Sequence, residues 1–131
     1  MEAGGEHFAG RPFLVAFANG PQYGGGAVIN PGGRLDDGRF ELVVYDDRPY
    51  LAILACAPRL FLGGIEGVRG YRRISTTRAV VTMERPTEHH RDGEPEPAAL
   101  RLEIALEPRA LPLLVPRATA EDPEGPFVTL A

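Results

Sequence analysis

The hydrophobic residues of this chain recur in short runs that end at glycine or proline, and several of these runs alternate with polar residues. Alternation with a period of two places every second side chain on one face of a β-strand. In the segment Arg39–Tyr45, for example, Phe40, Leu42 and Val44 share one face. The pattern predicts a mainly β fold, a β-sandwich-like domain with one substantial helix. The predicted strands are Pro12–Ala18, Ala27–Asn30, Arg39–Tyr45, Ile74–Glu84, Ala99–Glu107 and Leu111–Val115.

Two of these runs carry further information about their position. The continuous apolar run Pro12–Ala18 predicts a strand that is buried on both faces. Pro112 favours an edge position for Leu111–Val115, because proline cannot donate a ladder hydrogen bond.

The helix is predicted to begin after Asp46 and Asp47. An acidic N-cap followed by Pro49 in the first turn is typical of a helix start. Pro58 is expected to kink or end the regular helix, and Gly63-Gly64 to close it. Cys56 lies on this segment and is expected to be a small buried hydrophobic residue.

Composition limits the class of protein. The chain has 131 residues, 44% of them hydrophobic, which suits one globular domain with a real core. Its formal net charge of −4 gives no reason to expect nucleic-acid binding. The single cysteine excludes an internal disulfide and fits a reducing compartment. The longest apolar stretch, Leu51–Leu62, is too short to span a bilayer, and no signal-peptide pattern opens the sequence. We therefore expect a cytoplasmic protein.

Three turns concentrate unusual residues. The triplet Gly24–Gly26 and the turn Asp36-Asp37-Gly38 have an ordinary structural interpretation, since glycine supplies positive φ and allows close strand packing. The segment Arg91-Asp92-Gly93-Glu94 carries an Asp-Gly hairpin signal. His89 and His90 should point to opposite faces of a strand, so they are not expected to share a metal ion.

A cluster of arginines also has two interpretations. Arg69, Arg72, Arg73 and Arg78 lie close together in the sequence of an acidic protein. They are either a solvated surface or a contact for lipid phosphate groups.

From Phe13 to about Pro116 the chain resembles the C-terminal domain of diacylglycerol kinase-type lipid kinases, the group that includes bacterial lipid kinases and sphingosine kinases. The likeness covers roughly four-fifths of the chain. Its specificity comes mainly from the first two matching pieces taken together. The matching pieces, in the family's order, are FANGPQYGGGAVINP, RLDDGRFELVVY, PRLFLGG, RDGEP and ALPLLVP.

The resemblance implies two sites. In the family the RLDDGR turn surrounds a structural Mg²⁺. The resemblance therefore implies a weak Mg²⁺ site here, with the carbonyl oxygens of Arg34 and Arg39 and the carboxylate of Asp37 as ligands. Hard oxygen ligands of this kind suit Mg²⁺. The RDGEP segment is implied to lie beside the lipid hydroxyl, facing the γ-phosphate of ATP. Asp92 and Glu94 are both candidates for the carboxylate that accepts the hydroxyl proton.

The chain also departs from the family pattern. The Gly-Gly-Asp-Gly-Thr loop of the family's N-terminal nucleotide-binding domain is absent from this sequence. The segment Thr87–Arg91 is polar where the family has alternating apolar residues. We therefore expect the C-terminal, lipid-binding half of an ATP-dependent lipid kinase, acting on a lipid such as diacylglycerol only together with that N-terminal domain. The alternative is a stand-alone, non-catalytic β-sandwich that binds lipid or a protein partner, and the polar segment favours this alternative slightly.

The expected organisation is a flexible N-terminus at residues 1–11, a β domain at 12–117 and a tail at 118–131. The protein is expected in the cytoplasm, with a peripheral position at the membrane as a further option. A homodimer formed through the open edges of Pro12–Ala18 and Leu111–Val115, and a monomer whose polar ends cover the apolar patch, remain two alternatives.

Overall fold

The computed structural model describes residues 1–127, and two antiparallel sheets packed face to face dominate it. One sheet has the strand order β2-β1-β8-β9, the second has the order β3-β6-β7, and β4 and β5 form a separate small ribbon. The strands are β1 (Glu2–Ala3), β2 (Glu6–His7), β3 (Pro12–Ala18), β4 (Gln22–Gly24), β5 (Ala27–Val28), β6 (Phe40–Asp46), β7 (Tyr71–Thr76), β8 (Arg78–Arg91) and β9 (Glu94–Ala105).

Strand β6 is the centre of the molecule. It lies between β3 and β7, so both of its edges are hydrogen-bonded. Residues Phe40 to Tyr45 are all buried. The alternation predicted one buried face with Phe40, Leu42 and Val44. The structure confirms that face and buries the opposite one as well.

The first face of β6 packs against the four-stranded sheet. Leu42 and Val44 meet Ala3 of β1 and Ala79 of β8 in one apolar cluster, and partly buried residues of β3, β7 and β9 surround them. The rings of Phe17 and Phe40 pack edge to face in this layer, with centroids 6.3 Å apart. This inter-sheet core confirms the β-sandwich-like fold predicted from the alternation.

The second face of β6 is covered by two short helices, α1 (Tyr50–Cys56) and α2 (Arg59–Leu62), and by a 3-10 helix at Ile65–Gly67. Tyr45, Ile65 and Val68 are buried here, with Ile53, Cys56 and Leu60 packed against them. Cys56 is half-buried, close to the environment predicted for it.

The helical segment starts differently from the prediction. Pro49 occupies the N-cap position without a side-chain hydrogen bond, so the predicted acidic N-cap is wrong. The reason is that Asp46 ends β6 and forms an ion pair with Arg72, with 2.6 Å between Oδ1 and Nη2. The interruption at Pro58 and the end at Gly63, whose φ is 88°, are confirmed.

The predicted strand Ile74–Glu84 is two strands that belong to different sheets. β7 ends at Thr76 and β8 begins at Arg78. The buried hydroxyl of Thr76 accepts the backbone N–H groups of Gly4 and Arg78 and donates to the Arg78 carbonyl. This corner satisfies the backbone where the chain crosses between layers.

The N-terminal segment carries more regular structure than expected. Residues 1–11 contain β1 and β2, joined through Gly4 and Gly5, both with positive φ. β1 also pairs with β8 and so extends the larger sheet.

The strand predicted at Leu111–Val115 is wrong. These residues form no strand and are exposed, and the prolines at positions 112 and 116 remove two backbone donors. A short helix, α3 (Arg117–Ala120), follows them, and the final residues of the predicted 118–131 tail, 128–131, lie outside the described part of the chain.

Strand β3 is an edge strand of its sheet, whereas Leu111–Val115, the second edge named in the homodimer alternative, is not a strand. Strand β3 is less buried than its apolar sequence predicts, because only one of its edges is paired. Ala16 and Ala18 are buried, whereas Phe13 is exposed.

We predict that Leu42→Ala lowers the free energy of unfolding by about 2–5 kcal/mol, the cost of a cavity in a close-packed core. Leu42 has no exposed surface. The measurement is urea unfolding followed by circular dichroism. Leu100→Ala, at an exposed position of β9, is the matched control and should change the free energy by roughly 0.5 kcal/mol or less. Equal losses in the two variants would contradict the assignment of β6 to the core.

Candidate functional site

The RDGEP segment forms the tip of the long β8–β9 hairpin. Asp92 and Gly93 are the two turn residues, with φ of 49° and 93°, between the paired residues Arg91 and Glu94. Positive φ at both central positions is the geometry of a type I′ hairpin turn, for which Asp-Gly is a preferred sequence. The hairpin predicted at this position is therefore confirmed.

An open cleft of about 930 Å³ lies beside this tip. One wall comes from the β4 end of the glycine-rich loop and the other from the hairpin. The structure thus brings together two segments that are remote in sequence, YGGG and RDGEP. Asp92 lines the cleft, and Glu94 is not among the described lining residues. The lining residues are Tyr23, Gly24, Glu88, His89, His90, Asp92, Gly93, Pro95, Glu96 and Ala98.

Tyr23 and His90 join the two walls. The Tyr23 hydroxyl and His90 Nε2 form a short hydrogen bond, and the two rings pack edge to face with centroids 5.6 Å apart. The sequence analysis considered His90 only as a possible metal ligand, and this contact was not predicted. No local signal could reveal it, because 67 positions separate the partners.

His89 has a different environment from its neighbour. It is half-buried, and its Nδ1 atom is buried without a hydrogen-bond partner in the described chain. Across residues 1–127, no cluster of three or more His, Cys, Asp or Glu side chains is placed to hold a metal ion.

The glycine triplet is explained by backbone conformation alone. Gly24, Gly25 and Gly26 have φ of 148°, 56° and 83°, a region that side-chain-bearing residues rarely adopt. A Cβ atom added at any of the three would meet nothing within 4 Å. The positive φ expected for these glycines is confirmed, but the close strand packing expected of them is not present.

The RLDDGR turn lies on the surface at the start of β6. Gly38 has a φ of 75°, and Asp37 Oδ1 accepts the backbone N–H of Arg39 at 2.9 Å. The Arg39 guanidinium donates to both the hydroxyl and the carbonyl of Ser75 on β7. The C-terminal side of the turn is therefore fixed to the sheet.

The N-terminal side of the same turn is held by the tail. The Arg34 guanidinium donates to the carbonyls of Pro123, at 2.7 Å, and Phe127, and the Leu35 backbone N–H donates to the Pro126 carbonyl at 2.7 Å. Residues 123–127 thus close over the turn, a contact that the sequence analysis did not anticipate.

A buried polar network supports the turn from below. Asn30 is fully buried, and its Nδ2 donates to Glu41 Oε2 at 2.7 Å and more weakly to the Gly20 carbonyl. Glu41 is buried on the second face of β6, and its Oε1 accepts the Ser75 hydroxyl at 3.3 Å. Since Ser75 also binds Arg39, the network connects the buried Asn30 to the surface turn.

Two further residues complete this network. The Arg73 guanidinium donates to Asn30 Oδ1, at 3.3 Å, and to the Pro31 carbonyl. The Tyr71 hydroxyl donates to the Ile29 carbonyl at 2.8 Å, and burial raises the pKa of Tyr71 above its ordinary value. The sequence holds one indication of this buried network, which is Glu41, a charged residue within an otherwise apolar strand.

The arginine cluster is largely occupied by contacts within the molecule. Arg72 pairs with Asp46 and stacks over Phe8, with 5.1 Å between the guanidinium carbon and the ring centroid. Arg78 pairs with Glu103, and this contact, followed by Arg101, holds the pKa of Glu103 below its usual value. Arg73 is bound in the polar network, so Arg72, Arg73 and Arg78 all have partners within the protein and are not free to bind a lipid phosphate.

The structure is a β-sandwich-like domain with a hairpin and a glycine-rich loop beside one cleft. Comparison with protein families identifies a domain of the same kind. The family model of the YegS C-terminal NAD kinase beta sandwich-like domain matches residues 1–115. The chain belongs to this family, the C-terminal domain of YegS-type lipid kinases. Comparisons with curated proteins and with solved structures found no match.

The extent of the match separates two parts of the molecule. It includes the β1–β2 hairpin, both walls of the cleft and the RLDDGR turn. It ends before α3 and before residues 123–127, which close over the turn.

Gly33 is a sensitive position in the polar network. A Cβ atom at this buried glycine would lie 2.2 Å from Asn30 Nδ2. We predict that Gly33→Ala lowers the free energy of unfolding by about 1–3 kcal/mol, because Asn30 must move or lose its hydrogen bonds. Urea unfolding provides the measurement. Gly10→Ala is the control, since nothing lies within 4 Å of a Cβ there. Equal stability of the two variants would contradict the role of Gly33 in making room for Asn30.

Proposed function

We propose that this chain is the lipid-binding half of an ATP-dependent lipid kinase of the diacylglycerol kinase type. Membership of the YegS C-terminal domain family supports this proposal. The observation that carries it is the position of Asp92, at a hairpin tip that lines a cleft opposite the glycine-rich loop. The cleft gives a carboxylate access to a bound hydroxyl group.

In the proposed reaction a lipid hydroxyl lies in the cleft next to Asp92. The Asp92 carboxylate accepts the hydroxyl proton while the oxygen attacks the γ-phosphorus of ATP, and ADP leaves. Glu94 is the second candidate for this role, but its absence from the described lining of the cleft favours Asp92. The Tyr23–His90 contact would hold the hairpin tip against the loop and so position the carboxylate.

ATP binding requires a partner domain in this proposal. Phosphoryl transfer depends on groups that position the triphosphate and stabilise its charge. The Gly-Gly-Asp-Gly-Thr motif that would provide them is not in this sequence. We propose that an N-terminal nucleotide-binding domain supplies them, and that diacylglycerol or a related lipid is the acceptor.

The RLDDGR turn fits a weak Mg²⁺ site by its donor chemistry. The Asp37 carboxylate is exposed, and the positive φ of Gly38 curls the backbone at this point. The carbonyls of Arg34 and Arg39 would complete a set of hard oxygen ligands, with water at the remaining positions. Such an ion would stabilise the turn.

A non-catalytic lipid- or protein-binding module remains the second candidate. The polar sequence of Thr87–Arg91 supported it, since a buried strand would not tolerate those residues. In the structure this part of β8 is mostly exposed, which accounts for its polarity without loss of function. The proposed location is the cytoplasm, at the membrane surface; among the described residues no helix has the length and apolar character needed to cross a bilayer.

We expect the 131-residue chain alone to transfer no phosphate from radiolabelled ATP to diacylglycerol in the presence of Mg²⁺. Joined to the N-terminal domain of a YegS-type lipid kinase, it should produce labelled lipid. Asp92→Asn in the joined protein should then reduce kcat about a hundred-fold or more, the usual contribution of a general base.

Two matched variants make this test specific. Glu94→Gln examines the second candidate carboxylate, and Glu88→Gln removes a cleft carboxylate to which no catalytic role is assigned. A large loss in Glu94→Gln with a small loss in Asp92→Asn would transfer the role to Glu94. Lipid binding without turnover in every joined protein would support the non-catalytic module.

The Mg²⁺ site has its own test. Asp37→Asn should lower the Tm by a few degrees when Mg²⁺ is present and leave it unchanged without Mg²⁺, because an ion stabilises only the state that binds it. Calorimetric titration with Mg²⁺ should show the same loss of affinity. Asp47→Asn, at another exposed aspartate, is the control. A Tm drop of equal size with and without Mg²⁺ would mean that Asp37 serves only the turn.

A further inference from the structure

The two helices α1 and α2 are apolar on the side that faces away from the sandwich. Their inner side chains, Ile53, Cys56 and Leu60, pack against the core below them. Their outer side chains are large and apolar, yet more than half exposed, with Leu62 at 85%. An amphipathic surface helix would normally place polar residues there. The outer apolar residues are Tyr50, Leu51, Leu54, Phe61 and Leu62.

The charge of this region is opposite in sign to that of the whole protein. From Arg48 to Arg69 the sequence contains three arginines and one acidic residue, Glu66, a formal charge of +2 (3 − 1), whereas the formal net charge of the chain is −4. Arg69 follows directly after the 3-10 helix and is exposed. Within residues 1–127, Arg48, Arg59 and Arg69 have no carboxylate within ion-pair distance, whereas Arg72 and Arg78 are paired.

We infer that this outer face, formed by the apolar residues of α1 and α2 with Arg48, Arg59 and Arg69, rests on an anionic lipid bilayer. Aromatic and leucine side chains insert at the boundary between headgroups and acyl chains, and nearby arginines bind lipid phosphates. This inference rests on the proposed function, since a lipid kinase acts at a bilayer. Of the arginine cluster Arg69, Arg72, Arg73 and Arg78, only Arg69 belongs to this face.

The charge also argues against a second copy of the chain as the occupant. A two-fold symmetric dimer brings the same patch together with itself, so the unpaired arginines of one copy would approach those of the other. An anionic lipid surface has the complementary charge. The bilayer is therefore the partner that satisfies both the apolar and the basic residues of this face.

Vesicle flotation tests the inference with the whole chain and with neither ATP nor diacylglycerol, so its result is independent of catalysis. The protein should float with mixed phosphatidylcholine–phosphatidylglycerol vesicles and much less with phosphatidylcholine alone. Added salt should weaken the binding. Leu54→Ser should reduce the vesicle affinity roughly tenfold or more, the value of one leucine side chain withdrawn from an apolar environment.

The controls are chosen for equal exposure and charge. Leu100→Ser changes a leucine of nearly equal exposure on β9, 53% against 54% for Leu54, and should bind vesicles like the unmodified chain. Arg59→Gln should weaken binding to anionic vesicles, whereas Arg85→Gln, an exposed arginine of β8, should not. Since all four residues are exposed, circular dichroism should show an unchanged fold.

Three results would overturn the inference. The first is an unmodified chain that stays in solution with anionic vesicles, and the second is equal vesicle binding by Leu54→Ser and Leu100→Ser. The third is a dimer, seen by light scattering, that only Leu54→Ser dissociates. The last result would assign the face to a second copy. If the chain fails to bind vesicles but the joined kinase is active, the proposed function stands and the membrane face is wrong. If the chain binds vesicles but the joined kinase is inactive, the membrane face stands and the proposed function is wrong.

Discussion

The burial of strand β6 on both faces is the constraint on which the rest of this molecule depends. A strand that is paired on both edges and covered on both faces has no exposed position for a polar side chain. The four-stranded sheet covers one face and the helical segment covers the other. The sandwich and the helices are therefore not independent units, because each buries one half of the same seven-residue strand.

Glu41 is the exception within that strand, and it shows how the fold tolerates a buried carboxylate. An unsatisfied charge in this position would be costly, whereas Asn30 and Ser75 donate to both of its oxygens. The same two partners lead outward to Arg73 and Arg39, and so to the surface. Burial of one charged residue in the core thus determines where the loop before β6 lies, and with it the position of the RLDDGR turn.

Much of the architecture could be predicted from local patterns, and the failures have a common physical origin. The alternation in β6 and the Asp-Gly turn at Asp92 are encoded by neighbouring residues, so they could be found in the sequence. The apolar run Leu111–Val115 was misjudged because a run of leucines looks like a strand whether or not a partner edge exists. The Tyr23–His90 contact and the Asn30–Glu41 bond join residues that only the folded chain brings together.

The closure of residues 123–127 over the RLDDGR turn has a consequence for control of the protein. The position of residues 123–127 and the conformation of the turn are linked through the hydrogen bonds of Arg34 and Leu35. If the turn binds the proposed Mg²⁺, any change in Mg²⁺ affinity caused by release of residues 123–127 is matched by an equal change in how strongly bound Mg²⁺ retains those residues. Residues 123–127 lie beyond residues 1–115, which the family model matches, so this contact is made by a part of the chain outside the family domain. A short segment outside the family-matched residues would thereby adjust the turn without changing any residue of the sandwich.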